Sequence, residues 1–167
     1  MYRVAILTVS DRSSRGERPD QGGPLIAQLI GETLKWDFSL TKIVPDDLDK
    51  IRDALVEWCD SSRADLILTT GGTGFAPRDI TPEATKSVIE REVPGIPEAL
   101  RSASLRITQH AMLSRAVAGI RRRTLIINLP GNPKAVRENL EVLIPILPHA
   151  LGLLKGEAQT ESDHRTI

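Results

Sequence analysis

The stretch DLILTTGGTGFAPRDITPE, residues 65–83, carries the pattern that decides the fold. Leu66, Ile67 and Leu68, closed by Thr69 and Thr70, form a short continuous run of the buried-strand type, and it stops at Gly71-Gly72-Thr73-Gly74. Thr81-Pro82-Glu83 then opens a helix, with Thr81 expected at the N-cap and Pro82 at the first helical position. A strand that ends in glycines lets backbone N–H groups come close to a large anion such as phosphate. Asp79, just ahead of the helix, can hold the magnesium that a phosphate brings with it. On local pattern alone, a plain glycine turn beside a solvated aspartate is the competing description.

Working outward, the same alternation repeats. Residues 3–9, RVAILTV, read as a buried strand stopped by Ser10-Asp11-Arg12, and the polar segment 11–23 reads as a loop. Leu25, Ile26, Leu29, Ile30 and Leu34 recur at helical spacing, which predicts a helix from Pro24 to about Trp36. A strand over 39–44 follows, then a helix capped by Asp47, with Leu48, Ile51, Leu55 and Trp58 on one face. Beyond the glycine loop, helices are expected from Thr81 to about Arg91 and from Pro97 to about Ile107. Residues 116–129 read as a short strand, a tight turn near Arg121-Arg122 and a strand Thr124–Leu129. A helix after Asn132-Pro133 is interrupted by Pro145 and Pro148 before 150–154. This predicts one α/β domain over residues 1–156, a mostly parallel sheet with helices on both faces, and a polar tail over 157–167. In such sheets ligands lie outside the carboxyl ends of the strands. Four loops therefore share one edge: Ser10–Arg12, Pro45–Asp47, Gly71–Asp79 and Pro130–Asn132.

Composition narrows the partners. The chain has 167 residues, 22 basic and 22 acidic, so its formal net charge is zero and any positive anion site must be local. A nucleic-acid binder ordinarily carries a basic excess, and with 3% aromatic residues stacking on exposed rings is disfavoured as well. Cys59 is the single cysteine, which excludes an internal disulfide and a multi-cysteine zinc site. The N-terminal apolar run ends at Asp11, too short for a signal-peptide core or a membrane span, so a cytoplasmic protein is expected.

The chain has no GxxxxGK[ST] loop, no GxGxxG after the first strand and no GxSxG elbow, and His110, His149 and His164 show no ligand spacing. What remains is the glycine cradle, Asp46 and Asp79 at strand ends, and the turn LPGNP at 129–133. There Gly131 is free to take positive φ and a helix N-terminus, which favours anions, lies just behind. A simple strand-to-helix connection capped by Asn132 explains that turn equally well. Ser114-Arg115 offers a hydroxyl and a guanidinium to a phosphate; Arg121-Arg122-Arg123 reads as a solvated turn or as a pyrophosphate clamp. The set suits nucleotidyl or phosphoryl transfer, with Asp46 as the metal ligand and Asp47 as the helix cap.

TTGGTGFAPRDITPEAT (69–85), LSRAVAGIRRRTLIINLPGNP (113–133) and TVSDRSSRG (8–16) together resemble the molybdopterin-binding MogA/MoaB family of molybdenum cofactor biosynthesis, which includes the plant and animal G domains, that of gephyrin among them. The resemblance runs from the first strand to Lys155-Gly156. It implies a three-layer α/β fold and a magnesium-dependent molybdopterin adenylyltransferase, joining molybdopterin to AMP from ATP with release of pyrophosphate. It places the two required acidic positions on Asp46 and Asp79 as catalytic and metal residues. The nucleotide and phosphate cradle falls on Gly71, Gly72, Thr73, Gly74, Pro130, Gly131 and Asn132, bordered by Ser10 and Asp11. Pterin-side contacts fall on Ser114 and Arg115. It also implies a homotrimer, with a hexamer in MoaB-type members, and handover to the molybdate-insertion protein. The C-terminal run NPKAVRENLEVLIPILPHALGLLKG lacks the insertion of a typical enterobacterial MogA and is closer to the plant and animal G domains. The alternative within the family is a MoaB-like pterin-binding protein with little turnover. A pyrophosphatase related to the competence-damage family is the third possibility, though those chains usually carry additional domains, for which 167 residues leave no room.

Overall fold

Along β1 (Arg3–Val9) the buried side chains alternate between two apolar clusters: Val4 and Ile6 enter one, Ala5, Leu7 and Val9 the other. That double burial is what a continuous apolar run requires, since a strand without a wet face must be covered on both sides. In chain order there follow α1 (Asp11–Ser14), α2 (Gly22–Leu34), β2 (Asp37–Val44), α3 (Leu48–Asp60), β3 (Leu66–Thr70), α4 (Thr81–Lys86), β4 (Arg91–Glu92), α5 (Gly95–Leu105), a 3-10 turn (Gln109–Leu113), β5 (Ala118–Arg121), β6 (Thr124–Leu129), α6 (Pro133–Leu143) and α7 (Leu147–Lys155). This computed structural model describes residues 1–157; most of the expected polar tail lies outside the described residues.

The six strands form one sheet in the order β2-β1-β3-β6-β5-β4. The first four are mutually parallel, and β5 runs antiparallel to both β6 and β4. One face is covered by α2, α5, α6 and α7 through Ile26, Ile30, Leu100, Val136, Leu140, Leu147 and Leu151. The other is covered by α3 and α4 through Ile51, Leu55, Trp58 and Ala84. This is the expected three-layer arrangement. Each fully buried Leu or Ile contributes roughly 1.5–3 kcal/mol relative to exposure, so the two clusters are the main source of stability.

Several boundaries depart from the sequence-based expectation. The segment 11–23 is not all loop, because α1 occupies 11–14 and α2 begins at Gly22. The helix expected from Thr81 to Arg91 ends at Lys86, and Arg91–Glu92 instead pairs with β5 as the sheet edge. Thr81 is the first residue of α4 and Ile80 is its N-cap; the Thr81 hydroxyl donates to Gly71 O at 2.9 Å rather than capping the helix. The hairpin turn falls at Arg122–Arg123, with Arg122 in the left-handed region at φ 53°. From β1 the chain crosses to β2 and then returns past β1 to β3, so the topological switch lies between the carboxyl ends of β1 and β3.

Candidate active site

The glycine loop is shaped by backbone it cannot avoid. Gly71 has φ 100° and Gly72 φ 65°, and a Cβ on Gly71 would lie 2.3 Å from the Val9 carbonyl oxygen. Only glycine lets β3 end this close to the end of β1. On its other flank Gly71 meets the second glycine turn, where a Cβ on Gly131 would lie 3.2 Å from Gly71 Cα. The two motifs that are sixty residues apart in sequence are thus in backbone contact. The N–H groups of Gly72, Thr73, Gly74, Gly131 and Asn132 make no hydrogen bond among the described residues, which leaves them available as donors.

Carboxylates flank the loop. Asp46 Oδ1 lies 3.2 Å from the position a Cβ on Gly72 would take, and Asp79 Oδ2 lies 2.8 Å from that of Gly74. Asp47 caps α3 by accepting the Lys50 N–H at 3.0 Å, which leaves Asp46 to face the loop as the strand-end position predicted. Asp46 and Asp11 hold each other: Asp11 N–H donates to Asp46 Oδ2 at 2.8 Å, and Asp46 N–H donates to Asp11 Oδ1 at 3.1 Å. Burial pushes the Asp46 carboxyl above its ordinary range; the Asp11 N–H opposes this, while the charges of Asp11 and Asp79 add to it. Asp79 is half-buried and folds back to accept the Ala76 N–H at 2.9 Å.

Two arginines that the sequence left in minor roles or unmentioned organise these loops. Arg78 Nη2 donates to Asp11 Oδ1 and to the Asp46 carbonyl, both at 2.9 Å, joining three loops through one guanidinium. That hydrogen-bonded guanidinium holds the Asp11 carboxyl below its ordinary value against the cost of burial. Arg115 was expected to touch a pterin. Its guanidinium donates to Gly74 O at 2.7 Å, to Asp79 O, and to Glu83, so it braces the loop. The proximity of Arg78 to Asp79 in PRD was the only sequence signal for the first; nothing local marked the second.

Two cavities open on either side of the Gly71–Gly131 contact. The larger, about 480 Å³, is bordered by Thr73, Gly74, Ser114 and Pro130 and backed by apolar Leu100 and Leu113. The smaller, about 370 Å³, is polar and is bordered by Ser10, Ser13, Arg18, Asp20, Gly71 and Gly131. Asn132 lines both while its side-chain oxygen caps α6, accepting from Lys134 N–H at 2.9 Å. Asp11, Asp46, Gly72, Asp79 and Arg115 line neither cavity; Asp46 and Asp79 lie against Gly72 and Gly74, and Asp11 is bonded to Asp46. Arg18 and Asp20 were absent from the sequence-based set. Asp20 accepts the Thr8 hydroxyl at 2.7 Å and the N–H groups of Gly22 and Gly23, fixing the start of α2 beside the smaller cavity.

An α/β domain with its two glycine turns in contact at the topological switch defines a class, and comparison with known proteins gives that class its name. Residues 5–149 match the family described as "Probable molybdopterin binding domain", and the chain belongs to that family. Among its relatives, the Dictyostelium discoideum protein named Gephyrin is 47% identical over 98% of this chain, which spans only 24% of that relative's length. The Helicobacter pylori (strain J99) protein named molybdopterin adenylyltransferase is 45% identical over 92% of this chain and 88% of its own length. The crystal structure of the molybdopterin biosynthesis enzyme MoaB from Thermus superposes with a TM-score of 0.88 at 51% identity, covering 94% of this chain and 98% of that one.

Proposed function

We propose that this chain is a molybdopterin adenylyltransferase of molybdenum cofactor biosynthesis. In this reaction a terminal phosphate oxygen of molybdopterin attacks the α-phosphorus of ATP. A new P–O bond forms as the bond from that phosphorus to the bridging oxygen breaks, and pyrophosphate leaves. The observation that carries the proposal is the pair of cavities separated by one glycine–glycine backbone contact, with two carboxylates against the same glycine loop. The polar cavity beside Ser10 suits the nucleotide. The apolar-backed cavity beside Ser114 suits the pterin, and their shared rim is where the phosphates of both would meet.

The unpaired N–H groups of Gly72, Thr73, Gly74, Gly131 and Asn132 would orient the phosphates and stabilise charge that builds on them. Asp46 and Asp79 are hard oxygen donors, and the crowding of negative charge that helps raise the Asp46 carboxyl is what a cation relieves, so the residues fit Mg²⁺. Among the described residues no group of three or more such side chains could hold a metal by itself, as expected for an ion that shares its coordination with substrate phosphates. When bound, Mg²⁺ would supply charge neutralisation on the phosphates. Arg78 and Asp11 keep Asp46 in place, and Arg115 keeps the Gly74–Asp79 segment in place.

Trimeric assembly, cytoplasmic location and handover of the product to a molybdate-insertion protein belong to the same proposal. Exposed Ile107, Met112 and Leu113 beside the larger cavity offer an apolar contact surface for such partners. No helix among the described residues is long and apolar enough to cross a membrane. The test is a pair of variants, Asp46→Asn and Asp79→Asn, assayed for turnover and for pterin binding by fluorescence. Loss of turnover with pterin binding retained supports the roles given. Unchanged turnover in both overturns them, and loss of turnover in Asp47→Asn but not Asp46→Asn moves the ligand by one residue.

A further inference from the structure

The Arg121–Arg123 run lies too far from the glycine loops to serve the chemistry there. Strand β6 separates it from Pro130, and six residues of strand span about 20 Å. The turn instead borders a cavity of about 530 Å³ at the amino ends of the strands, lined by Arg3, Arg122, Arg123 and Lys155 around the single carboxylate of Asp65. Asp65, only 5% exposed, is shared by two cations: Arg3 Nη2 at 3.0 Å and Lys155 Nζ at 3.3 Å. Lys155 is also held over the Tyr2 ring, 4.7 Å from its centroid. Asp60 is likewise shared, by Arg121 and Arg122, each at 2.8 Å. The left-handed turn places the Arg122 N–H on Glu90 at 2.9 Å, while the Arg123 guanidinium has no partner among the described residues.

One carboxylate between two cations leaves a net positive charge in a fixed position. The cavity lining itself carries Arg3, Arg122, Arg123 and Lys155 against the one carboxylate of Asp65, and Asp60, Glu90 and Glu157 offset part of that charge from outside the lining. The opposite edge gathers Asp11, Asp46, Asp79 and Glu83 around Arg78 and Arg115. Arg3, Arg122 and Lys155 are already ordered by their carboxylates, which lowers the entropy cost of closing on a ligand. Guanidinium forks pair bidentately with phosphate oxygens, and a diphosphate carries more than one negative charge per phosphate near neutral pH.

We propose that this cavity is a second ligand site, separate from the glycine-loop site, and that it binds a compact polyanion of the di- or triphosphate class. The site does not depend on the adenylyltransferase reading. The experiment is a titration of inorganic pyrophosphate into the full chain in EDTA, where no metal draws the anion to the acidic edge. Binding is followed by calorimetry and by amide chemical shifts. The expected result is one site tighter than about 1 mM at low salt, weakening as salt is added. The shifts should centre on Ser62, Arg122–Thr124 and Lys155. Arg122→Ala/Arg123→Ala should weaken binding by about tenfold or more, one order in the equilibrium constant. Arg123→Glu, which leaves the left-handed residue in place, should do the same. No binding at about 1 mM, unchanged affinity in either variant, or shifts confined to Gly71–Gly74 and Gly131 would overturn the proposal. So would inorganic phosphate binding as tightly as pyrophosphate, because that removes the need for a polyanion.

Discussion

Gly71→Ala is the most informative single substitution. At φ 100° an L-residue sits outside the comfortable left-handed well, a strain of order 1–3 kcal/mol. The added methyl would also stand 2.3 Å from the Val9 carbonyl oxygen, a backbone atom at the end of a central strand. No side-chain rotation relieves that contact. The carbonyl must move by about an ångström, and comparable overpacking costs about 1–3 kcal/mol. The sum, about 2–6 kcal/mol, is a large part of the 5–15 kcal/mol that is typical of a whole domain. Gly16→Ala is the control, because Gly16 also has positive φ, at 73°, but nothing within 4 Å of a Cβ. It should lose only about 1 kcal/mol, the conformational part alone. Urea denaturation monitored by circular dichroism measures both. At about 2–4 °C per kcal/mol for a chain of this size, the melting temperature of Gly71→Ala should fall by about 4–24 °C. Equal losses in the two variants would refute the reasoning, because the close approach of β3 to β1 would then carry no cost.

Two further outcomes follow from the hydrogen bonds around the loops. Asp11 has a folded-state carboxyl value below its ordinary one, chiefly through the hydrogen bond from Arg78, so its contribution to stability is present above the ordinary carboxylate value near 3.8 and is lost as pH falls through the lower folded value. Arg78→Ala should move the Asp11 titration, read by carboxyl-carbon NMR, upward; no movement would show that the guanidinium does not hold it. Asn128 is 1% exposed, donates to the Thr69 and Thr85 hydroxyls at 2.9 Å each and accepts the Val117 N–H. Asn128→Ala should destabilise the fold by about 2–4 kcal/mol, since buried partners lose their bonds with no water to replace them; a loss under about 1 kcal/mol would mean that the network relaxes freely.

The sheet and the edge that carries the site were legible because β1, β3 and β6 are continuous apolar runs, each ending in a turn of distinctive composition. The glycine loop was legible as a turn at a strand end, and its close approach to β1 and to Gly131 came only from the structure. What the sequence did not expose are features made by pairing across long separations. Arg91–Glu92 has no strand pattern of its own and becomes β4 only by bonding to β5. The Thr81-Pro82 start marks where α4 begins but not where it ends, and Val88 packs into the apolar cluster after the helix has stopped at Lys86. Helix α1 has four residues, too few for any periodicity to show. The bonds of Arg115 to Gly74 and Asp79 reach a loop 36 or more residues away, which no local pattern around Ser114-Arg115 shows. The three-arginine run stood close in sequence to LPGNP and is separated from it by the full length of β6.

The central claim is that the glycine-loop edge joins a nucleotide to a pterin. It is tested most directly by incubating the purified chain with molybdopterin, ATP and Mg²⁺ and measuring adenylylated pterin and pyrophosphate in the same samples. The account predicts that both products appear in equal amounts, that neither forms when pterin is omitted, and that Asp79→Asn forms neither while remaining folded. Tight pterin binding without either product would contradict it in favour of a binding protein, and release of nucleotide cleavage products without pterin would contradict it in favour of a hydrolase.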